Sequence, residues 1–106
     1  MSLKCNDTVE VVAGENVTLN CSISYRRENN CKGERYQWSN SHGDIQCNSR
    51  LMKYICGWDT QTSVYLTISN VIKEGNYTVT IQTDCGFAKS STIKVRVQVH
   101  SSFVGE

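Results

Sequence analysis

The sequence predicts an all-β fold of half-buried antiparallel strands, and three observations carry that reading. Apolar residues recur with a period of two wherever a period is legible. Proline is absent from the 106 residues, and glycines stand singly at Gly14, Gly33, Gly43, Gly57, Gly75 and Gly86, where turns are expected. Six cysteines, an even number and a high density for a short chain, point to a disulfide-stapled domain made in an oxidising compartment.

Taken in chain order, the strands declare themselves by parity. "NVTLNCSI" places Val17, Leu19, Cys21 and Ile23 on one face and Asn16, Thr18, Asn20 and Ser22 on the other. "VYLTI" alternates Val64, Leu66 and Ile68 with Tyr65 and Thr67. "YTVTIQT" alternates Tyr77, Val79 and Ile81 with Thr78, Thr80 and Gln82. "TIKVRVQV" sets Ile93, Val95, Val97 and Val99 against Lys94, Arg96 and Gln98. Strands of this kind bury one face and wet the other.

Length and charge narrow the class. The chain reads as one domain, residues 1–106, with a core over 8–99 and a polar tail over 100–106. A net charge of +1 speaks against nucleic acid, which selects a strongly basic face. No run of about 18 apolar residues is present to span a membrane, and no apolar signal region follows Met1. The chain therefore reads as a piece of a membrane-anchored parent, with Met1-Ser2-Leu3 as a leader foreign to the fold. Four N-glycosylation sequons begin at Asn6, Asn16, Asn20 and Asn76. Together with the cysteines they place the expected location outside the cell, on its surface or secreted.

These segments resemble the immunoglobulin superfamily. "GENVTLNCSI" is similar to its strand B with the first cysteine, and "YQWSN" to strand C with the buried Trp38. "VYLTISNVIKEGNYTV" is similar to strand E, the corner and strand F. Two positions depart: Lys73 stands where an acidic residue is usual, and Val79 replaces the strand-F cysteine. The interval from Trp38 to Val79 is short for a full variable-type domain. The resemblance thus implies a reduced variable-type or intermediate-type antiparallel sandwich, with the Tyr77 hydroxyl bonded to upstream backbone at the corner. Within the superfamily, SLAM-type leukocyte receptors include domains without the inter-sheet disulfide. The modules of adenovirus early region three and cytomegalovirus membrane glycoproteins share Trp38, Cys47, Cys56, "LTISNV" and Gly75-x-Tyr77 as they stand here.

Six cysteines allow fifteen pairings, and sequence alone selects none. In the sandwich that the resemblance implies, Cys21 faces inward at the level of Val79 and lacks its usual partner. Cys85 shares the parity of Val79 but lies six residues further on, about 20 Å along a strand. A disulfide tolerates a Cα separation of only about 7 Å. Cys85 belongs to the hairpin "TDCGFAK", at the same end of the sandwich as the loop carrying Cys31, so Cys31–Cys85 is the preferred pair. Cys47–Cys56 would be a local staple across a strand-to-strand turn. Cys5–Cys21 would join the first strand to its neighbour.

Catalytic and metal chemistry find no support. The cysteine spacings include no C-x-x-C, and only His42 and His100 offer imidazole. Both histidines read as solvated loop residues without an orienting carboxylate, so no enzyme, metal or cofactor is expected. "RRENNCKGERY" mixes Arg26, Arg27, Lys32 and Arg35 with Glu28 and Glu34, the balance of a solvated loop. Trp58 reads either as core filler beside a disulfide or as an exposed contact.

The expected function is recognition of a protein ligand, on a cell surface or secreted, by an immune-type receptor or immune-modulating glycoprotein. The alternative is a structural or homophilic adhesion module. Glycans on Asn16 and Asn20 would cover one sheet. The other sheet's outward residues Arg35, Gln37, Thr80, Gln82, Lys94 and Arg96, with Phe87 at a hairpin tip, are the candidate contact set. Asn76 supplies the sequon on that side.

Overall fold

The computed structural model describes residues 2–24, 31, 33–59 and 62–99. The loop residues Arg26, Arg27, Glu28 and Lys32, His100 and the tail after it lie outside the described residues. Ten strands make two facing sheets, with no helix among the described residues. In chain order they are β1 Ser2–Cys5, β2 Thr8–Val12, β3 Val17–Ser24, β4 Gly33–Asn40, β5 Gly43–Asp44, β6 Tyr54–Asp59, β7 Ser63–Ile68, β8 Gly75–Thr83, β9 Gly86–Lys89 and β10 Ile93–Gln98.

One sheet runs β1-β3-β7-β6, and the other runs β2-β10-β8-β4-β5 with β9 also on β8. All pairings are antiparallel except β2 with β10. The alternation read from sequence becomes burial: β3 is buried at every odd position and exposed at every even one. Between the sheets lie Leu19, Cys21, Trp38, Val64, Leu66, Val79, Ile81 and Ile93, all fully buried. Val99, expected to continue the inward face of the last strand, lies past the end of β10 and is exposed.

Val79 is held from both sides. Its register partner on β4 is Trp38. On its other edge the Val79 N–H donates to Ser90 Oγ at 2.9 Å, and the Ser90 N–H donates to the Val79 carbonyl at 2.9 Å. Ser90 thereby bridges the break between β9 and β10, so β8 has a partner along its length.

The first strand begins earlier than the expected core. Ser2 and Leu3 belong to β1, where Leu3 packs against the core and pairs with Ile23. The opening residues are thus part of the sheet, because a Leu at an inward position of an edge strand gains burial there. Five of the six glycines expected in turns lie in strands instead: Gly33, Gly43, Gly75 and Gly86 open β4, β5, β8 and β9, and Gly57 lies within β6. A Cβ on Gly33 would lie 2.5 Å from the Trp58 ring, and one on Gly57 would lie 2.6 Å from the Tyr65 hydroxyl. Both positions are glycine because an aromatic ring occupies the side-chain space. Trp58 is half-buried, one residue beyond Gly57 on β6, and its ring meets that of Tyr36 with centroids 5.0 Å apart. It packs inward across the open edge between the sheets.

The expected hydroxyl bond at the corner is not made. Among the described residues the Tyr77 hydroxyl has no hydrogen bond to corner backbone; the ring instead folds back over Gly75, where a Cβ would lie 3.3 Å from it. The corner is closed by backbone and lysine. Val71 N–H donates to Glu15 O, Gly14 N–H to Val71 O, and the Lys53 ammonium to the carbonyls of Ser69 and Asn70.

The disulfides are Cys5–Cys21, Cys31–Cys85 and Cys47–Cys56. Cys5 and Cys21 are register partners on β1 and β3. Cys31 precedes β4, and Cys85 turns the β8–β9 hairpin, where its N–H donates to Thr83 Oγ1. Cys47 follows β5 and Cys56 lies on β6. The Asn48 side chain braces that staple by accepting from Cys56 N–H and donating to Cys56 O.

Three outcomes are expected. Trp38→Ala should cost roughly 3–5 kcal/mol through lost burial and a cavity. Trp38→Phe should cost less, because the buried indole N–H has no hydrogen-bond partner among the described residues and its removal leaves nothing unpaired. Urea unfolding of both variants checks the order. The disulfide with the longest sequence separation, 54 for Cys31–Cys85 against 16 and 9, should stabilise most, by about 4 kcal/mol against about 2.5–3 for the others on loop-entropy grounds. Paired Cys→Ala variants measured by chemical denaturation test that ranking. Burial raises the pKa of Tyr36, with a smaller contribution from Tyr65, and that of Tyr77, with a smaller contribution from Tyr54. A raised folded-state pKa means stability is intact below the unfolded value near 10 and falls as pH rises above it. Melts from pH 8 to 12 should therefore drop above about pH 10, and Tyr36→Phe plus Tyr77→Phe should flatten the drop.

Candidate functional site

The outward face of the β2-β10-β8-β4-β5 sheet is laid out by register. The even residues of β8 turn away from the core; Gln82 and Thr80 have register partners on both sides, Thr78 and Asn76 on one. Gln82 stands between Arg35 on β4 and Phe87 on β9. Thr80 stands between Gln37 and Lys89. Thr78 meets Ser39, whose hydroxyl is bonded to Asp44 at 3.0 Å. Asn76 stands opposite Lys94, which in turn faces Thr8, and Arg96 faces Glu10.

All seven expected contact residues lie on this sheet's outer side or hairpin, but in two groups. Arg35, Gln37, Thr80, Gln82 and Phe87 form an upper patch near the β8–β9 hairpin. Lys94 and Arg96 lie beside Asn76 at the other end of β8, six residues from Gln82 or about 20 Å along the strand. The division arises because β10 pairs only with the first residues of β8, while β9 takes the later ones.

The upper patch is partly pre-ordered. The Arg35 guanidinium Nε–H donates to Gln82 Oε1 at 2.7 Å, which holds the cation against Gln82, the residue that separates it from Phe87. Phe87 is 75% exposed, a large apolar side chain left in water. Gln37 is committed to the fold: its amide donates to the carbonyls of Trp38 and Ile45 and fastens the β4 edge. Sequence reasoning missed Lys89, which shares the parity of Phe87 in "GFAK" and adds a second cation to the patch. It also missed Glu10, opposite Arg96, because a parallel pairing between β2 and the last strand is invisible in local pattern.

None of the sequons falls on the upper patch. Asn20 projects from the exposed face of β3 in the other sheet, and the exposed Asn16 immediately precedes that strand. Asn16 Oδ1 accepts the Asn70 N–H at 3.0 Å, which leaves its Nδ2, the atom that carries a glycan, unconstrained by that bond. Asn6 lies in the link where the chain crosses from β1 to β2. Asn76 is exposed at the lower end, beside Lys94.

Metal and nucleophile chemistry find little to build on among the described residues. Cys31, Asp84 and Cys85 bring their ligand atoms within 4.8 Å of one another, but both sulfurs are tied in one disulfide and offer no thiolate. His42 lies exposed in the β4–β5 turn, with its backbone N–H bonded to Asn40 Oδ1. A cleft of about 260 Å³ opens at the base of the sandwich, lined by Tyr54, Tyr77, His42, Lys53 and Ile72 among others.

No protein-family model and no curated protein matches this chain. Solved structures do. The titin domains Z1Z2 in complex with telethonin align over 93% of the chain at 23% identity and a TM-score of 0.71. Murine CRIg aligns over 91% of the chain and 96% of its own length at 20% identity and 0.68. Titin-A168169 aligns over 97% at 19% identity and 0.72. The chain spans 47% and 51% of the two titin structures. At these identities the likeness speaks for the fold, and 1128 solved chains share it, so the fold by itself selects no partner. The chain is an immunoglobulin-like antiparallel β-sandwich, stapled by three disulfides and reduced to a two-residue β5 at one edge.

Proposed function

We propose that this chain is an extracellular protein-recognition domain of an immune-type receptor or immune-modulating glycoprotein, and that it docks a protein partner on the upper patch. The observation that carries the reading is Phe87. It stands 75% exposed on a sheet face, in register with a Gln82 that holds the Arg35 guanidinium. An aromatic anchor and a pre-oriented arginine on one face, here with Gln82 between them, are side chains enriched at interface hot spots. Holding Arg35 in place before binding lowers the ordering cost of contact. Arg35 and Lys89 make the patch basic, which suits a partner with an acidic rim.

Export is supported by three disulfides in a short chain and by four sequons that all avoid the patch. Murine CRIg, of the same fold over nearly its whole length, favours the receptor reading. The viral modules that share Trp38, Cys47, Cys56 and Gly75-x-Tyr77, and the SLAM-type leukocyte domains that lack the inter-sheet disulfide, both fit it. The titin likenesses favour a second reading, a structural or homophilic adhesion module whose partner is another immunoglobulin-like domain. Either way the work is surface contact, with no bond chemistry.

Phe87→Ala combined with Arg35→Glu should weaken partner binding by 100-fold or more, the loss of about two hot-spot side chains. Lys4→Glu on the opposite sheet should leave it unchanged, and both variants should melt like the parent. Surface plasmon resonance against a panel of cell-surface ectodomains reads the result. Retained binding in the double variant, with loss in Lys4→Glu, would place the interface on the other sheet. Concentration-dependent self-association in sedimentation, abolished by the same double variant, would select the adhesion reading.

A further inference from the structure

The lower half of the same face has a different composition from the upper. A groove of about 330 Å³ is lined by Asn76 itself with Ser41, Glu74, Lys94 and Arg96, among others. Its lining is mostly polar, and its size falls in the range of small-ligand sites, about 300–1,000 Å³. Lys94 is the register partner of Asn76. Neither Lys94 nor Arg96 has a side-chain hydrogen bond or ion pair among the described residues, although Glu10 faces Arg96 across the β2–β10 pair. Glu74 spends one carboxylate oxygen on the Val97 N–H at 3.1 Å and keeps the other. The Asn76 side chain is exposed at the groove's rim, and Thr78 completes its sequon.

We infer that this groove is the seat of the chain's own glycan: the first N-acetylglucosamine linked to Asn76 lies in it, held by Lys94 and Arg96. The donor set fits the occupant. Lysine and arginine donate to the sugar hydroxyls and to the acetamide carbonyl, while the free Glu74 oxygen accepts a hydroxyl proton. Attachment forms a bond from Asn76 Nδ2 to C1 of the sugar. The bond from C1 to a lipid-diphosphate carrier breaks, the diphosphate leaves with the electron pair, and Nδ2 gives up one proton. The inference rests on the exported reading, since only that compartment supplies the activated oligosaccharide. It reassigns Lys94 and Arg96 from partner contact to glycan contact, which leaves the upper patch as the surface open to a protein.

The test is a double-mutant cycle on the secreted chain. The chain and its Asn76→Gln variant, each with and without Lys94→Ala plus Arg96→Ala, are produced in a glycosylating host and trimmed enzymatically to single N-acetylglucosamines. Removing the Asn76 sugar should lower Tm by about 2–5 °C, the effect of one or two net hydrogen bonds in a domain of this size. In the Lys94→Ala plus Arg96→Ala background it should lower Tm by less than about 1 °C. Before trimming, release of the whole Asn76 glycan by peptide N-glycosidase from the folded protein should also run several-fold faster in that background. An equal Tm loss in both backgrounds overturns the seat, as does a secreted, fully disulfide-bonded chain with Asn76 bare. A chain retained in the cell without its disulfides overturns the exported reading as well.

Discussion

The two sheets face each other without a covalent tie between their central strands, so the fold depends on the apolar layer at the level of Trp38 and Val79. Cys21, which would hold the sheets together in the common arrangement, is bonded sideways to Cys5 in its own sheet. Val79 offers no sulfur in return. What fixes the sheets is packing: a fully buried Trp38 against Leu19, Leu66, Val64 and Ile81, at the density where a lost methylene is felt. Ser90 completes the arrangement from the side of β8 that Trp38 does not reach. With both of its polar groups on Val79 backbone, it lets the last strand break into β9 and β10 without leaving an unpaired edge in the core.

That break shapes the surface. Because β9 pairs with Thr80 to Thr83 and β10 with Gly75 to Tyr77, the outer face acquires two neighbourhoods with different chemistry. One presents an exposed phenylalanine with Lys89 on its own strand and Arg35 across Gln82. The other collects polar side chains around a sequon asparagine. Relocating the disulfides to strand edges and loops works in the same direction, since Cys31–Cys85 ties the hairpin bearing Phe87 to the chain entering β4. The candidate contact surface therefore rides on a covalently braced end of the sandwich.

The open side, where β5 is too short to continue its sheet, is closed by rings laid over glycines. Trp58 occupies the space of a Gly33 side chain and meets Tyr36; Tyr65 lies over Gly57 on the outer side. This substitutes aromatic contact for a missing strand.

Much of this was legible in the chain itself. Parity alone told which side chains of β3, β7, β8 and β10 face inward, because a strand's side chains alternate by covalent geometry. The same parity put Asn16 and Asn20 on a wetted face, and a count of residues along a strand separated Cys85 from the level of Cys21. What parity cannot supply is the identity of the neighbour across the ladder. The pairing of Asn76 with Lys94, of Arg96 with Glu10 on the parallel β2, and of Gln82 with Arg35 depends on register between segments distant in sequence. So does the packing that puts rings over Gly33 and Gly57 and folds Tyr77 over Gly75 where a hydroxyl bond was expected. Local pattern determined the faces of this protein, whereas tertiary packing decided which residues share them, because register is set by the burial of the whole layer and not by any one strand.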